Sequence, residues 1–263
     1  MPSFREVIAA LTPTGAAYEI EAPEGWRQGR TLYGGITAAL CAAASAGAHP
    51  GLPPLRSAQV ALVGPAGGRI RFEPTLLRQG RSATVVSVDA TGEAGMAARA
   101  LFTYGAARES AVRHDAPRAP AVPPPEDCPD YFPKGGFAPG FSGNFEARLA
   151  SGARPLTPGA DPDVAIWVRH AADAGDEVEL ALLALADVPP PAAMIAFAQP
   201  APISTATWSL DIFQPIGGSA GDWRLLRSTS EQAADGYSLQ AMEVFDTAGR
   251  RVAAARQLVA IFA

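Results

Sequence analysis

From Thr37 to Ala48 the chain reads TAALCAAASAGA, small or apolar on every side rather than along one stripe. Alanine is the strongest helix former, and a helix that is apolar all round is enclosed by other structure, so this segment predicts a buried helix. Gly34-Gly35 just ahead of it lets the backbone turn tightly into the helix. The period then changes. Ile70, Phe72 and Leu76 alternate with Arg69, Arg71, Glu73 and Thr75, the period of two that marks a strand with one buried face. Residues 55–63 (LRSAQVALV), 83–90 (ATVVSVDA) and 96–104 (MAARALFTY) predict three further strands, the last two joined by a turn at Asp89-Ala-Thr-Gly92. One helix followed by four strands is the expectation for this half.

Residues 105–145 break the pattern. Pro117, Pro120, Pro123 to Pro125, Pro129, Pro133 and Pro139 support neither a ladder nor a helix interior, so this stretch predicts an extended linker running over the surface. Tyr131, Phe132, Phe137, Phe141 and Phe145 predict that part of it packs down. Beyond it the first order recurs: a short strand at 164–169, then a helix over 177–186 (EVELALLALA) with Asp176 as a cap. Strands follow at 203–213, 222–230, 237–246 and 250–262. SVDATGEAGMAARALFTY and VFDTAGRRVAAARQLVAI both run strand, Asp-led Gly turn, small-residue strand, with Arg99 opposite Arg256. A repeat of this length implies two fused α+β units, at 1–106 and 146–263, with the linker at 107–145.

Composition narrows the function classes. With 48% hydrophobic and 18% charged residues the 263-residue chain is globular in type, and it carries no apolar run long enough to span a bilayer. A net charge of −5 without any Lys/Arg block argues against a nucleic-acid partner. MPSFREVIAALTPTG lacks the pattern of a signal peptide, so a cytoplasmic location is expected. Cys41 lies in the Ala-rich segment and Cys128 among prolines, which predicts two free thiols. His49, His114 and His170 follow no ligand spacing, so neither a metal nor another cofactor is expected.

Arg30-Thr-Leu-Tyr-Gly-Gly35 before an Ala-rich helix resembles the R-x-V/L-F/Y-G-G opening of the acyl-CoA thioesterase II family. Leu77-Arg-Gln-Gly-Arg-Ser82 is similar to that family's L-R-x-G-x-S stretch between strands. With the repeat and the linker, the likeness covers nearly the whole chain. It implies an α+β double hotdog, two copies of a long antiparallel sheet wrapped around an Ala-rich helix. It also implies three catalytic positions: Asp187 directly after the second helix, Thr205 ten residues before Pro215, and Gln257 in the A-x-x-x-Q pattern of Ala253 to Gln257.

Those residue types suit thioester hydrolysis. A carboxylate serves as base toward a water molecule, while a hydroxyl and a carboxamide fix the water's other hydrogen bonds. No covalent acyl-enzyme is needed. Gly34 and Gly35 are the candidate substrate-binding pair, since an N–H at a helix N-terminus suits the oxygen that gains charge. Each residue also has a plainer role: Asp187 as the polar end of a helix, Thr205 as ordinary strand usage, Gln257 as a bonded core amide. Ala100 stands at the place of Gln257 in the first half, so one working site per chain is expected.

The substrate implied is an apolar acyl-CoA, with Trp167, Trp208, Phe197 and Met194 as candidate lining and Arg78 and Arg81 as candidates for its phosphates. A non-catalytic acyl-CoA-binding or regulatory protein is the alternative. A hotdog hydratase or dehydratase ranks below both, because neither Ala-rich helix holds an internal His. Homo-oligomers formed through open sheet edges are a further expectation.

Overall fold

The structure is a computed structural model that describes residues 1–262 apart from 113, 115–116, 133–137 and 214–215. Pro133, Phe137 and Pro215 therefore lie outside the described residues. The chain opens with helix α1 (Phe4–Ala9), strands β1 (Thr12–Thr14) and β2 (Ala17–Glu21), and the short pair β3 (Arg27–Gln28) and β4 (Thr31–Leu32). Helix α2 (Gly34–Ala48) leads into β5 (Leu55–Leu62), β6 (Arg69–Gln79), β7 (Ala83–Gly92) and β8 (Gly95–Gly105). After the linker come β9 (Phe145–Gly152), β10 (Asp163–His170) and helix α3 (Val178–Ala186). The last strands are β11 (Ile203–Ile212), β12 (Arg224–Ala234), β13 (Tyr237–Phe245) and β14 (Arg251–Ile261).

Among the described residues twelve strands form one sheet, in the order β1-β2-β6-β7-β8-β5-β11-β14-β13-β12-β10-β9. Six precede the linker and six follow it. They meet where β5 pairs antiparallel with β11, from Ala61 opposite Thr207 to Ser57 opposite Asp211. Reading outward from that seam, each side repeats the same succession of hairpins. Both long helices lie on one face, where α2 packs against α3 and against β6, β7 and β8. The two helices show almost no polar stripe because sheet and partner helix enclose them: Ile36, Leu40, Cys41, Leu183 and Ala184 are fully buried.

Several sequence expectations need correction. Helix α2 starts at Gly34 rather than Thr37, so the glycine pair forms its first turn. The residue capping α3 is Glu177, without a side-chain bond, and Asp176 contributes only its carbonyl, to the Val178 N–H. The hairpin after β7 turns at 93–94, because Asp89 stays in the ladder, where Arg99 pairs with it through two bonds of 2.6 Å. Leu76 is 41% exposed although Ile70 and Phe72 are fully buried, because the far end of β6 runs past the layer that covers its start.

Described parts of the proline-rich stretch are docked. Its residues Ala119, Val122 and Cys128 cover Trp167, Leu225 and Phe245 on the sheet face away from the helices, and Trp167 donates its indole N–H to the Pro123 carbonyl at 2.9 Å. Further along, Tyr131, Phe141 and Phe145 are buried in the main core, and Phe141 stacks on Tyr33 with ring centres 3.9 Å apart. Cys41 and Cys128 are both free thiols. No helix among the described residues is long and apolar enough to cross a membrane.

Candidate active site

The sequence places Asp187 directly after α3, and the chain then meets Pro189-Pro190-Pro191, which cannot extend a helix. The end of α3 faces the beginning of α2. A Cβ added to Gly35 would fall 2.5 Å from the Ala184 carbonyl oxygen, and one added to Gly34 would fall 2.7 Å from Asp187 Oδ2. Glycine at both positions is what lets the two helix ends approach this closely. The Asp187 carboxyl accordingly sits at the N-terminal end of α2, where unpaired N–H groups favour negative charge.

From the sheet side, Gln257 projects from β14 toward the same carboxyl. Its Nε2 donates to Asp187 Oδ1 at 2.9 Å and to Thr205 Oγ1 at 3.1 Å. Thr205 reaches this point from β11 beside a register shift between Thr205 and Thr207 that breaks the strict alternation of faces. Two side chains from distant parts of the sequence, Asp187 and Thr205, thus meet on the Gln257 amide. Asp187 and Thr205 are half-buried, as is Gly34, whereas Gln257 is almost fully buried.

Burial dominates the electrostatics. It pushes the Asp187 carboxyl up from an ordinary 3.8 to about 7, against the opposing pull of the Gln257 amide and the Gly35 N–H. A carboxyl tuned to this range is divided between acid and base near neutral pH. The nearby Tyr33 hydroxyl donates to the Ala184 carbonyl at 3.0 Å, and burial together with the Asp187 charge drives its own pKa well up, so it stays protonated.

The amide chain continues into the core. Gln240 on β13 stands opposite Gln257, donates from Nε2 to Gln257 Oε1 at 2.8 Å, and accepts the Ala192 N–H at Oε1, 2.7 Å away. Sequence reasoning missed Gln240, because Tyr237, Leu239 and Ala241 on the alternate positions made the other face of β13 look equally apolar.

The other candidates divide. Trp208 sits next to Gln257 on the inner face, and its buried Nε1 has no partner among the described residues. Met194 and Phe197 are half-buried on the turn that follows the three prolines. Trp167 is excluded as lining, because it packs beneath the linker on the opposite face. Arg78 and Arg81 are exposed. His170 is buried, bonded through Nε2 to the Ala181 carbonyl, and burial lowers its pKa to about 4, so it is a neutral core residue.

One continuous sheet built from two similar sets of hairpins, each set with a helix on its inner face, defines a double hotdog. A family model described as the acyl-CoA thioesterase N-terminal domain matches residues 22–105, and one described as the acyl-CoA thioesterase C-terminal domain matches residues 125–261. The chain belongs to this acyl-CoA thioesterase family and is a thioester hydrolase. Solved structures share the fold over the full length. A conserved protein of unknown function with a hot dog fold from Alicyclobacillus acidocaldarius is 24% identical, with a TM-score of 0.85 over 99% of this chain and 98% of that one. The tesB protein of Mycobacterium avium subs paratuberculosis is 18% identical, with a TM-score of 0.80 over 98% and 99%. The acyl-CoA thioesterase II TesB2 of Mycobacterium marinum is 19% identical, with a TM-score of 0.77 over 97% of each. No curated protein matches the chain at the level of sequence.

Proposed function

We propose that this chain hydrolyses an apolar acyl-CoA to the free acid and CoA, with Asp187, Thr205 and Gln257 as its catalytic residues and one such site per chain. The observation that carries the proposal is the meeting of carboxyl, hydroxyl and carboxamide at Gln257 Nε2. Asp187, as carboxylate, takes a proton from a water molecule while the water oxygen attacks the thioester carbon. As the tetrahedral intermediate collapses and the carbon–sulfur bond breaks, the same carboxyl returns that proton to the departing CoA sulfur. Thr205 accepts from Gln257 through its oxygen, so its own hydroxyl proton is available to hold the attacking water. Gln257 spends both N–H groups on Asp187 and Thr205, and its part is to fix their separation rather than to bond the water itself.

Gly34 is assigned to the thioester oxygen at the first turn of α2, where it lies directly against the Asp187 carboxyl. Trp208 and Leu62 give this region an apolar wall, and the indole N–H of Trp208 offers a further donor to a bound acceptor. The units are assigned to residues 1–106 and 146–263, with 107–145 as the connecting strap. The test is release of free thiol from acyl-CoAs of increasing chain length. Turnover by the natural protein and its loss in Asp187→Asn are expected. Acyl-CoA binding without thiol release would instead identify a non-catalytic binding protein.

A further inference from the structure

We infer that Gln240 is a positioning residue for the hydrolytic site, one that fixes which way round the Gln257 amide lies; the inference rests on the site proposed above. A carboxamide has a donor end and an acceptor end of nearly the same shape, so packing alone does not decide its orientation. Hydrogen bonds do. A chain of three links supplies them here, and its polarity is set at one end by a group that cannot be reversed.

That group is the Ala192 N–H, which can only donate. Ala192 opens the short helical turn at Ala192–Ala196, so its N–H has no acceptor within that turn. Gln240 Oε1 accepts it at 2.7 Å. With its oxygen committed, Gln240 turns its NH₂ toward β14 and donates to Gln257 Oε1 at 2.8 Å. Gln257 must then present its own NH₂ to Asp187 and Thr205. Reversing any one amide would set two donors or two acceptors against each other inside a core where Gln240 is fully buried and Gln257 is 3% exposed.

The chain of bonds closes on itself. Asp187 and Ala192 are five residues apart, joined through Val188 and the three prolines, whose fixed φ angles leave this segment few conformations. Asp187, Gln257, Gln240 and Ala192 therefore form a loop of three hydrogen bonds and one stiff stretch of backbone. The base is held from both ends: through its own chain to Ala192, and through its carboxyl to the amides that Ala192 orients. Ser230 and Met242, near Gln240 on the sheet, take no part in this loop.

The direction matters because a reversed Gln257 would turn its oxygen toward Asp187 and favour the protonated acid over the base. Removing Gln240 should raise the pH at which activity appears, besides lowering the rate. Tyr33, the other ionisable group against Asp187, stays protonated and does not mask that shift.

The experiment compares Gln240→Met, Gln257→Ala and the Gln240→Met/Gln257→Ala pair, with Met242→Leu as a packing control on the same face of β13. Thiol release is followed from pH 5 to 9, and melting temperature is recorded for each variant. Gln240→Met is expected to lower kcat about tenfold with KM little changed, and to move the acid limb of the pH profile upward by about one unit. In the Gln257→Ala background, Gln240→Met should cost nothing more. Met242→Leu should change the melting temperature at most, not the pH profile.

A Gln240→Met enzyme with the natural kcat and acid limb overturns the inference. So does a full Gln240→Met loss on top of Gln257→Ala. If Gln257→Ala itself keeps natural turnover, the site proposal fails, and that outcome is read separately from the Gln240 variants.

Discussion

Counting outward from the seam between β5 and β11, the inner face of the sheet carries two rows with different contents. On one side the row is Val60, Ala100, Val88 and Pro74. On the other it is Trp208, Gln257, Gln240 and Ser230. The ladders that hold the rows are the same, hairpin for hairpin. The helix ends differ in the same sense: α2 is followed by His49 and α3 by Asp187. One scaffold thus carries a dry packing surface on one side and a connected set of polar groups on the other. The fold supplies the positions and the side chains decide the chemistry.

This contrast can be broken most sharply at the two helix ends. Asp187→Asn is expected to lower kcat/KM by about 10²–10⁴, while His49→Ala leaves thiol release unchanged. Equal losses in both would show that each copy contributes a catalytic group. Next in size is the amide exchange across the rows. Gln257→Leu should lose roughly 10²-fold through misplacement of its two partners. The reverse change, Ala100→Gln, should leave turnover alone and cost about 1–3 kcal/mol of stability in denaturant titrations, because its amide would find no partner among Val60 and Val88.

A smaller effect is expected at the helix contact. Gly34→Ala places a methyl group against Asp187 Oδ2 and should cost about tenfold in rate by displacing the carboxyl, with the fold preserved in circular dichroism. The smallest effects concern pH. Burial raises the Asp187 pKa from 3.8 to about 7, so kcat/KM should climb with pH and level off above about 7. The stability linkage has the opposite sign. A raised carboxyl pKa means that the folded state holds a proton which the unfolded chain gives up. Its stability contribution is therefore complete below about pH 4, declines as pH rises toward 7, and is constant beyond. Asp187→Asn removes that penalty. Its melting temperature should exceed that of the natural protein by a few degrees at pH 8, with the difference vanishing near pH 4. A gain equal at both values would mean that the carboxyl is not buried as charge.

Much of the architecture was legible because its signals are local. The Ala-rich segment, the EVELALLALA run and the alternating stretches each announce a period that packing then respects. Strand β9 escaped notice although its Phe145, Ala147 and Leu149 alternate with Glu146 and Arg148, because it begins where the proline-rich stretch ends. Helix α1 was overlooked despite its capping box, Ser3 with Glu6, because six residues are too few to show a period. The three proposed catalytic residues came from resemblance to a family, not from any pattern in the residues. Gln240 had neither. Its importance lies in a cross-strand partner and a backbone N–H distant in sequence, and no local pattern records such a meeting.

The seam at β5 and β11 has one more consequence. If the two halves were separate identical chains, any residue placed on one side of the junction would have to appear on the other, since a twofold contact is self-complementary. Joining them in one polypeptide lifts that obligation: a bulky indole can face a valine across the middle, as Trp208 faces Val60. Each half can then change without consent from its twin.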